Sequence, residues 1–131
     1  MKRKAKDSIK KLGIVIVYLF GSKAIGRESP LSDIDIGIVL KTAPPTDTRS
    51  LYNQVYGVFS ELYPGSKLDI AFLQNASLAL QFSAIKNGKV LFEEDPRLTA
   101  DYENLVINQY LDFQPVLDFF DRVAAERYAP T

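Results

Sequence analysis

The continuous apolar run from Ile14 to Phe20 constrains the fold more than any other segment of this chain. It begins with four β-branched residues, which favour a strand over a helix, and a strand without polar positions is typical of a sheet interior. Gly13 precedes the run and Gly21 follows it, so both of its ends are marked. The 131 residues of the chain correspond to one domain. We therefore expect a single domain with this strand in its core.

The start of the chain also imitates a secretory signal, because a segment rich in Lys and Arg precedes the apolar run and Ser22, Lys23 and Ala24 follow it. We reject this interpretation, since the run is rich in β-branched residues and cleavage after Ala24 would leave an interrupted fold that contains no cysteine. No stretch reaches the length that a membrane span requires. We expect a cytoplasmic protein that does not bind membranes.

The rest of the pattern predicts alternating helices and strands. We predict strands over residues 14–20, 33–40 and 67–73 and an extended piece over residues 90–92. A first helix ends at Leu12, with Gly13 as its C-cap. A second helix is capped by Thr46 or Asp47 and ended by Pro64, and a third is capped by Asn75 and runs to Ile85. From Pro96 onward the chain is predicted to be helical, with a break near residue 113 that Pro115 causes. This order predicts an α/β (α+β) fold, a small mixed sheet flanked by helices with a helical C-terminal tail.

Three aspartates lie in or at the start of strands that are otherwise apolar. Asp33 and Asp35 are two residues apart, so both carboxylates project from one face of their strand, and Gly37 continues that face without a side chain. We expect Gly37 to leave a notch with room for a bulky group such as a nucleotide. Asp69, near the start of the third strand, can supply a third carboxylate. Carboxylates this close repel each other, which implies a compensating cation.

Each aspartate also has a purely structural interpretation. Asp33 can cap a turn, Asp35 can lie on an exposed edge strand, and Asp69 can pair with Lys67 or Arg27. The functional interpretation is favoured by the Gly-Ser pair upstream. Gly21 directly follows the buried strand, where a glycine lets the backbone approach a ligand, and the Ser22 hydroxyl with the following amides can donate to phosphate oxygens.

The segment from Gly21 to Glu28 has the glycine spacing of a P-loop, but the match fails at its functional positions. Arg27 replaces the lysine, and Glu28 replaces the hydroxyl that should bind magnesium and would repel phosphate. Pro30 also interrupts the long helix that a P-loop requires. We set the P-loop interpretation aside.

The chain contains neither histidine nor cysteine, which excludes catalytic triads, zinc sites of nitrogen and sulfur ligands, and disulfides. With Asp and Glu as the only strong metal ligands, the expected cation is magnesium or manganese. The net charge is zero, but residues 1–12 carry +5 and residues 93–131 carry −6. We expect no direct nucleic-acid binding, and we regard the two charged ends as surfaces available to a protein partner.

Aromatic residues repeat at helical spacing in the C-terminal region. We expect Tyr102, Phe113, Phe119 and Phe120 to belong to the core, because such a stripe is usually buried. A domain of this size has a limited interior, so the alternative that some of these residues dock a partner stays open.

The spacing of Gly21-Ser22 and Ser32-Asp-Ile-Asp35, with a third carboxylate on a later strand, resembles the DNA polymerase β-like nucleotidyltransferases. The short chain resembles in particular the minimal nucleotidyltransferase (MNT) antitoxins of HEPN/MNT toxin–antitoxin pairs, and the likeness runs through Gly88-Lys-Val-Leu-Phe-Glu93 into the helical tail. One position departs from the pattern, since Ile25 stands where the family usually has an arginine. Arg27 is close enough in sequence to substitute for it.

The resemblance implies a single nucleotidyltransferase domain over residues 1–131, with a catalytic core at 1–95 and C-terminal helices at 96–131. It implies two magnesium ions held by Asp33, Asp35 and Asp69, phosphate contacts from Gly21, Ser22 and Arg27, and ATP as substrate. The expected reaction transfers AMP to a tyrosine hydroxyl of a cognate HEPN ribonuclease toxin, in a hetero-oligomer. Two alternatives stay open: a catalytically weak or inactive antitoxin that neutralises its partner by binding, and a transferase that acts on a small hydroxylated molecule.

Overall fold

The computed structural model describes residues 1–20 and 33–128, and these residues form four strands and four α-helices. The elements in chain order are α1 (Arg3–Lys11), β1 (Ile14–Phe20), β2 (Ile34–Leu40), α2 (Arg49–Leu62), β3 (Leu68–Phe72), α3 (Leu78–Asn87), β4 (Lys89–Glu93) and α4 (Pro96–Tyr128). A 3₁₀ turn over Leu73–Asn75 follows β3. The three predicted strands are present, the predicted extended piece is a fourth strand, and β1 has the predicted bounds.

The strands form one mixed sheet in the order β3-β2-β1-β4. β1 is antiparallel to both β2 and β4, whereas β2 and β3 are parallel and are connected through α2. Parallel neighbours need such a crossover, because a short turn cannot return the chain to the starting end of the sheet. The mixed sheet with flanking helices and a long C-terminal helix confirms the predicted fold class.

The sheet separates two apolar layers. On one face Ile34, Ile36 and Ile38 of β2 pack with Val55 and Phe59 of α2 and with Ile9 of α1. On the other face Ile16 and Tyr18 of β1 pack with Ala84 of α3, Tyr102 of α4 and Leu73. β1 therefore lies between two covered faces, which is why its sequence carries no polar residue.

Local chemistry explains where the helices begin and end. Gly13 follows α1 with φ +78, a conformation that favours glycine, and its N–H donates to the Lys10 carbonyl at 3.0 Å. At α2 the predicted cap at Thr46 or Asp47 is wrong, because the N-cap residue is Thr48, which makes no side-chain capping bond; Asp47 just before it accepts the backbone N–H of Arg49 at 3.1 Å. The predicted cap at Asn75 is wrong, because Asn75 completes the 3₁₀ turn, and Ser77 caps α3 by accepting the N–H of Leu80 at 3.1 Å.

The C-terminal region is one helix of 33 residues and not the predicted two, since α4 continues through Pro115. Proline has no N–H, so the carbonyl of Leu111 lacks its intrahelical partner, at a cost of about 3 kcal/mol. Leu111 is 59% exposed, so water can satisfy that carbonyl without ending the helix. Among the helices that the structure describes, none is long and apolar enough to cross a membrane.

The aromatic positions of α4 fall into two groups. Tyr102 is half-buried against the sheet, as expected for a core residue. Phe113, Phe119 and Phe120 are 45%, 53% and 61% exposed, so the prediction that they belong to the core is wrong. Their helical spacing continues beyond the part of α4 that the sheet and α3 cover, so no apolar surface of the described chain reaches them.

Candidate active site

The three sequence-predicted aspartates lie at one edge of the sheet, by which we mean the edge formed by the ends of the strands and not an outermost strand. β1 runs antiparallel to β2, so its last residue, Phe20, lies opposite Asp35 near the start of β2. β2 and β3 are parallel, and their register places Asp35 directly beside Asp69. Asp33 immediately precedes β2. The end of β1 thus meets the beginnings of β2 and β3, and these strand ends bring carboxylates from separate segments of the chain together.

The alternation of apolar and acidic residues in β2 fixes which way the carboxylates point. Ile34 and Ile36 are fully buried in the layer beneath α1 and α2. Successive strand residues project to opposite faces, so Asp33 and Asp35 project away from that layer. The backbone N–H of Ile34 donates to the carbonyl of Lys67 at 2.8 Å, which ties the start of β2 to the start of β3. This bond holds the register that sets Asp35 beside Asp69.

Electrostatic repulsion couples the three carboxylates. Partial burial raises the pKa of Asp35 above its ordinary value, and the negative charges of Asp69 and Asp33 raise it further. Asp33 and Asp69 are themselves exposed, whereas Asp35 is half-buried. An opposite charge at this edge would relieve the repulsion, so the site favours a cation or a cationic complex.

The donor set is suited to magnesium, because carboxylate oxygens are the ligands that this hard cation prefers. Within residues 1–20 and 33–128, no group of three acidic side chains is arranged so that it could hold a metal ion in its present rotamers. The backbone register brings the three aspartates to one edge, and the side chains of Asp33 and Asp69 are exposed there. The residues therefore fit the cation in chemistry and in placement along the sheet.

One structural interpretation of the aspartates is wrong, and one of the two partners suggested for Asp69 is excluded. β2 lies between β1 and β3, so Asp35 is not on an edge strand. In the described part of the chain, Asp69 makes no ion pair with Lys67; the ion pairs that lie wholly within that part include Asp47 with Arg49 and Asp95 with Arg97. The predicted partner Arg27 lies outside the described residues.

The notch expected at Gly37 is filled by a side chain. A Cβ at this position would lie 2.9 Å from Cδ1 of Leu73, and Leu73 is fully buried. Gly37 thus allows the 3₁₀ turn after β3 to pack closely on β2 and leaves no room for a nucleotide. A glycine inside a strand is a recognised signal of close backbone approach, but sequence does not say whether a ligand or a neighbouring residue makes that approach.

The predicted phosphate-binding residues Gly21, Ser22 and Arg27, and the departing position Ile25, lie outside the described residues. Grooves lined by described residues occur elsewhere on the molecule. One of about 510 Å³ lies between α1 and α2, lined by Lys4, Lys11, Leu12 and Val58 among others, and another of about 400 Å³ lies beside β4. Neither includes an aspartate of the sheet edge.

Comparisons with known proteins match the fold and show the family. The family model "Polymerase beta, Nucleotidyltransferase" matches residues 3–97. A chain of a toxin–antitoxin crystal structure with AMP-PNP is 26% identical, with a TM-score of 0.72, and the match covers 92% of this chain and 98% of that one. A chain from the complex of a tri-AMPylated Shewanella oneidensis HEPN toxin with MNT antitoxin is similar in fold, at 24% identity, a TM-score of 0.66, and coverage of 95% and 100%. No curated protein sequence matches significantly.

Proposed function

The chain belongs to the polymerase beta nucleotidyltransferase family, and from that premise we propose that it transfers AMP from ATP to a tyrosine hydroxyl of a cognate HEPN ribonuclease toxin. The transfer silences the toxin, which makes the chain an antitoxin. The reaction depends on magnesium. The observation that carries this proposal is the register of β2 and β3, which sets Asp35 beside Asp69 and next to Asp33 at one edge of the sheet.

Two features support the choice of substrate and partner. The toxin–antitoxin structure to which this chain is similar over 92% of its length contains AMP-PNP, an ATP analogue. Burial and the negative charges of Asp69 and Asp33 raise the pKa of Asp35, so positive charge would be favourable at this edge. The magnesium ions that accompany a nucleoside triphosphate would supply that charge.

Each aspartate has a role in the proposed reaction. Asp33 and Asp35 would hold one magnesium ion and, together with Asp69, a second. When bound, such ions neutralise charge on the triphosphate and lower the pKa of the acceptor hydroxyl. Asp69 would accept the proton of that hydroxyl. The tyrosine oxygen forms a bond with the α-phosphorus, the bond from that phosphorus to pyrophosphate breaks, and AMP stays on the tyrosine.

The phosphate contacts are assigned to the segment between β1 and β2. We propose that Gly21 and Ser22 orient the β- and γ-phosphates through backbone amides and the hydroxyl. Arg27 is assigned to the triphosphate charge in place of the arginine that Ile25 replaces. These three residues lie outside the described part of the chain, and the assignment follows from the family motif.

The test measures transfer of label from [α-³²P]ATP to the purified cognate toxin in the presence of magnesium. The double variant Asp33→Asn/Asp35→Asn is expected to lose at least about 1,000-fold in rate, because electrostatic stabilisation of phosphoryl transfer depends on these carboxylates. Asp7→Asn, an exposed aspartate of α1, is the matched control and should keep its rate. Unchanged labelling by the double variant would refute the assignment.

A second readout does not depend on activity. Asp35→Asn removes the mutual repulsion at the sheet edge, so without magnesium the variant is expected to be more stable than the parent by about 0.5 kcal/mol. Magnesium with AMP-PNP should then raise the melting temperature of the parent more than that of the variant. Equal shifts for both proteins would mean that Asp35 is not part of the cation site.

One observation favours the alternative of neutralisation by binding alone. The exposed apolar face of α4 gives the chain a surface for a protein partner that is separate from the aspartates. If that alternative holds, the Asp33→Asn/Asp35→Asn variant still protects cells from the toxin. Growth of cells that express both proteins separates the two functions. Transfer to a small hydroxylated molecule would instead give a labelled product in the absence of the toxin.

A further inference from the structure

The outer segment of α4, residues 111–128, exposes a stripe of large apolar side chains. The exposed fractions lie between 40% and 61%, for Phe113, Val116, Phe119, Phe120 and Val123. A monomeric surface rarely leaves so many large apolar groups side by side unless another molecule covers them. Pro115 also removes a backbone hydrogen bond from this segment, which therefore gains less from its own backbone than an uninterrupted helix. A covering partner would account for both features.

The stripe continues the buried face of the same helix. Tyr102 and Val106 pack on the body, and the spacing from them alternates between three and four residues through Gln109 to Phe113, Val116, Phe120 and Val123. This alternation is a heptad pattern, which keeps apolar residues on one face of a helix. The outer segment therefore presents the same face that the inner part buries.

The stripe is wider than a seam between two helices. In the heptad, Phe113, Val116, Phe120 and Val123 occupy the two central positions, while Leu117 and Phe119 occupy the two flanking positions. Contact between two helices covers the central positions and leaves the flanks in water, whereas a helix in a bundle is apolar at the flanks as well. The occupant that covers this stripe has to offer a groove between at least two helices.

Area and charge argue against a second copy of this chain as the occupant. The exposed apolar side chains present roughly 500–600 Å² of surface. Two copies paired through one helix each would bury about 1,100 Å² in total, less than the roughly 1,200–2,000 Å² that a standard stable interface buries. The outer segment carries four acidic and two basic residues. Asp112 and Glu126 flank the stripe on one side, and an antiparallel pair would place Asp112 of one copy near Glu126 of the other. A partner with a basic rim is the complementary surface.

We propose that the outer segment of α4 docks into an apolar groove between two helices of a partner protein, with basic side chains of that protein beside Asp112 and Glu126. The identity of the partner as the HEPN toxin rests on the proposed function. The docking surface is separate from the aspartates of the sheet edge, so holding the toxin and modifying it are two properties of the chain that can be lost independently.

The test measures the dissociation constant of the full chain and the purified cognate toxin by calorimetry, without ATP. The double variant Phe113→Asp/Phe120→Asp is expected to bind at least about 100-fold more weakly, because aromatic residues at an interface centre carry much of the affinity. Leu111→Asp is the matched control, since Leu111 is as exposed as Phe120 but lies nine residues away, about two and a half turns, on the opposite side of α4. It should change the affinity by less than about threefold.

The charge of the rim is tested in the same way. Asp112→Lys is expected to weaken binding about fivefold, whereas Asp118→Lys, the same charge change on the opposite side of the helix, should leave it unchanged. Amide hydrogen exchange gives a further readout. Residues 111–128 should exchange rapidly in the chain alone and become protected when the toxin binds.

Three outcomes would overturn the proposal. The first is an equal effect of the Phe113→Asp/Phe120→Asp and Leu111→Asp variants on the affinity. The second is sedimentation of the chain alone as a dimer that only the phenylalanine variants dissociate, which would make a second copy the occupant. The third is tighter binding by Asp112→Lys. If the phenylalanine variants bind normally while the toxin receives AMP, only the docking surface is wrong; if docking holds and no label is transferred, only the proposed chemistry is wrong.

Discussion

The inner part of α4, residues 96–110, and its outer segment carry one apolar pattern in two different environments. In the inner part, the hydroxyl of Tyr102 donates to Oε1 of Gln81 at 2.8 Å, and the ring of Tyr110 stacks on Phe82 with centroids 4.0 Å apart. In the outer segment, the side chain of Gln114 donates to Oδ1 of Asp118 one turn further along the same helix at 3.0 Å, and Phe113, Phe119 and Phe120 are exposed. The difference teaches that an apolar period identifies a face of a helix and says nothing about what covers it.

The inner part is also tied to the central strand. The hydroxyl of Tyr18 in β1 donates to Oε2 of Glu103 at 2.6 Å, and the rings of Tyr18 and Tyr102 lie 6.4 Å apart. β1, which α4 contacts through Tyr18, ends at Phe20, and Phe20 lies opposite Asp35 at the acidic edge. The inner part therefore belongs to the unit that positions the site.

The largest expected difference between the two parts concerns a valine in each. Both valines lie at central positions of the heptad, but Val106 is 2% exposed and Val116 is 40% exposed. Val106→Asp buries an unpaired charge and should lower the free energy of unfolding by about 3–5 kcal/mol, whereas Val116→Asp should change it by less than about 0.5 kcal/mol. Urea denaturation followed by circular dichroism measures both. If Val106→Asp does not fold, Val106→Ala should still cost about 2 kcal/mol. Equal costs for the two valines would show that the outer segment is covered as well.

Removal of the Tyr18 hydroxyl is expected to have the next largest effect on the free energy of unfolding. Tyr18→Phe removes the donor to Glu103 and should cost about 1–2 kcal/mol. Tyr110→Phe, the control, removes a hydroxyl that makes no hydrogen bond within the described chain and should cost little. A cost for Tyr110→Phe as large as that for Tyr18→Phe would contradict the view that the bond to β1 anchors the inner part.

The same tyrosine predicts a dependence on alkaline pH. Burial first, and then the hydrogen bond to Glu103, raises the pKa of Tyr18 far above its ordinary value. The folded state keeps the proton after the unfolded state loses it, so the stabilisation is fully present below pH about 10 and is lost as the pH rises further. The free energy of unfolding of Tyr18→Phe should therefore fall less steeply above pH about 10 than that of the parent. Burial also raises the pKa of Tyr102, which accounts for the loss of stability at alkaline pH that remains in the variant.

Much of the fold could be predicted because local signals and burial agree in most elements. The unbroken apolar run at 14–20 predicted a strand covered on both faces, and the alternation of aspartate and isoleucine from Asp33 predicted which face of β2 is buried. The placement of Asp35 beside Asp69 follows from strand register, which sequence suggests only through the order of the elements. Whether these aspartates act as proposed stays a prediction.

The errors arise where a local signal has two physical causes. Gly37 indicated close approach, and Leu73 rather than a ligand makes that approach. Asn75 and Ser77 are both good caps, and burial of Leu73 draws Asn75 into the 3₁₀ turn, which leaves the cap to Ser77. Pro115 removes one hydrogen bond, but in an exposed helix water replaces it and the helix continues. Tertiary contact and solvent decide these cases, and neither is a property of a short window of sequence.

A smaller effect compares the two aromatic pairs of the region. Phe82 and Tyr110 stack with an angle of 3° between their rings, whereas Phe119 and Phe120 are sequence neighbours in edge contact on the exposed side. Phe82→Leu should lower the free energy of unfolding by about 1 kcal/mol, and Phe120→Leu should leave it within about 0.3 kcal/mol. Thermal unfolding of both variants checks this. A loss at Phe120 in the chain alone would mean that its ring already packs against the body.

The smallest effect on global stability is expected for Pro115→Ala. This substitution also tests most sharply whether the outer segment of α4 unfolds separately from the rest of the chain. The substitution restores an N–H that can donate to the carbonyl of Leu111, and it gives the outer segment a better helix former. If that segment frays independently of the body, the global free energy of unfolding stays within about 0.5 kcal/mol, while amide protection rises only after residue 111. A rise in the melting temperature of several degrees would instead place the outer segment inside the cooperative unit. In that case its apolar stripe would contribute to folding of the chain itself, and the exposed face could no longer be assigned to a partner alone.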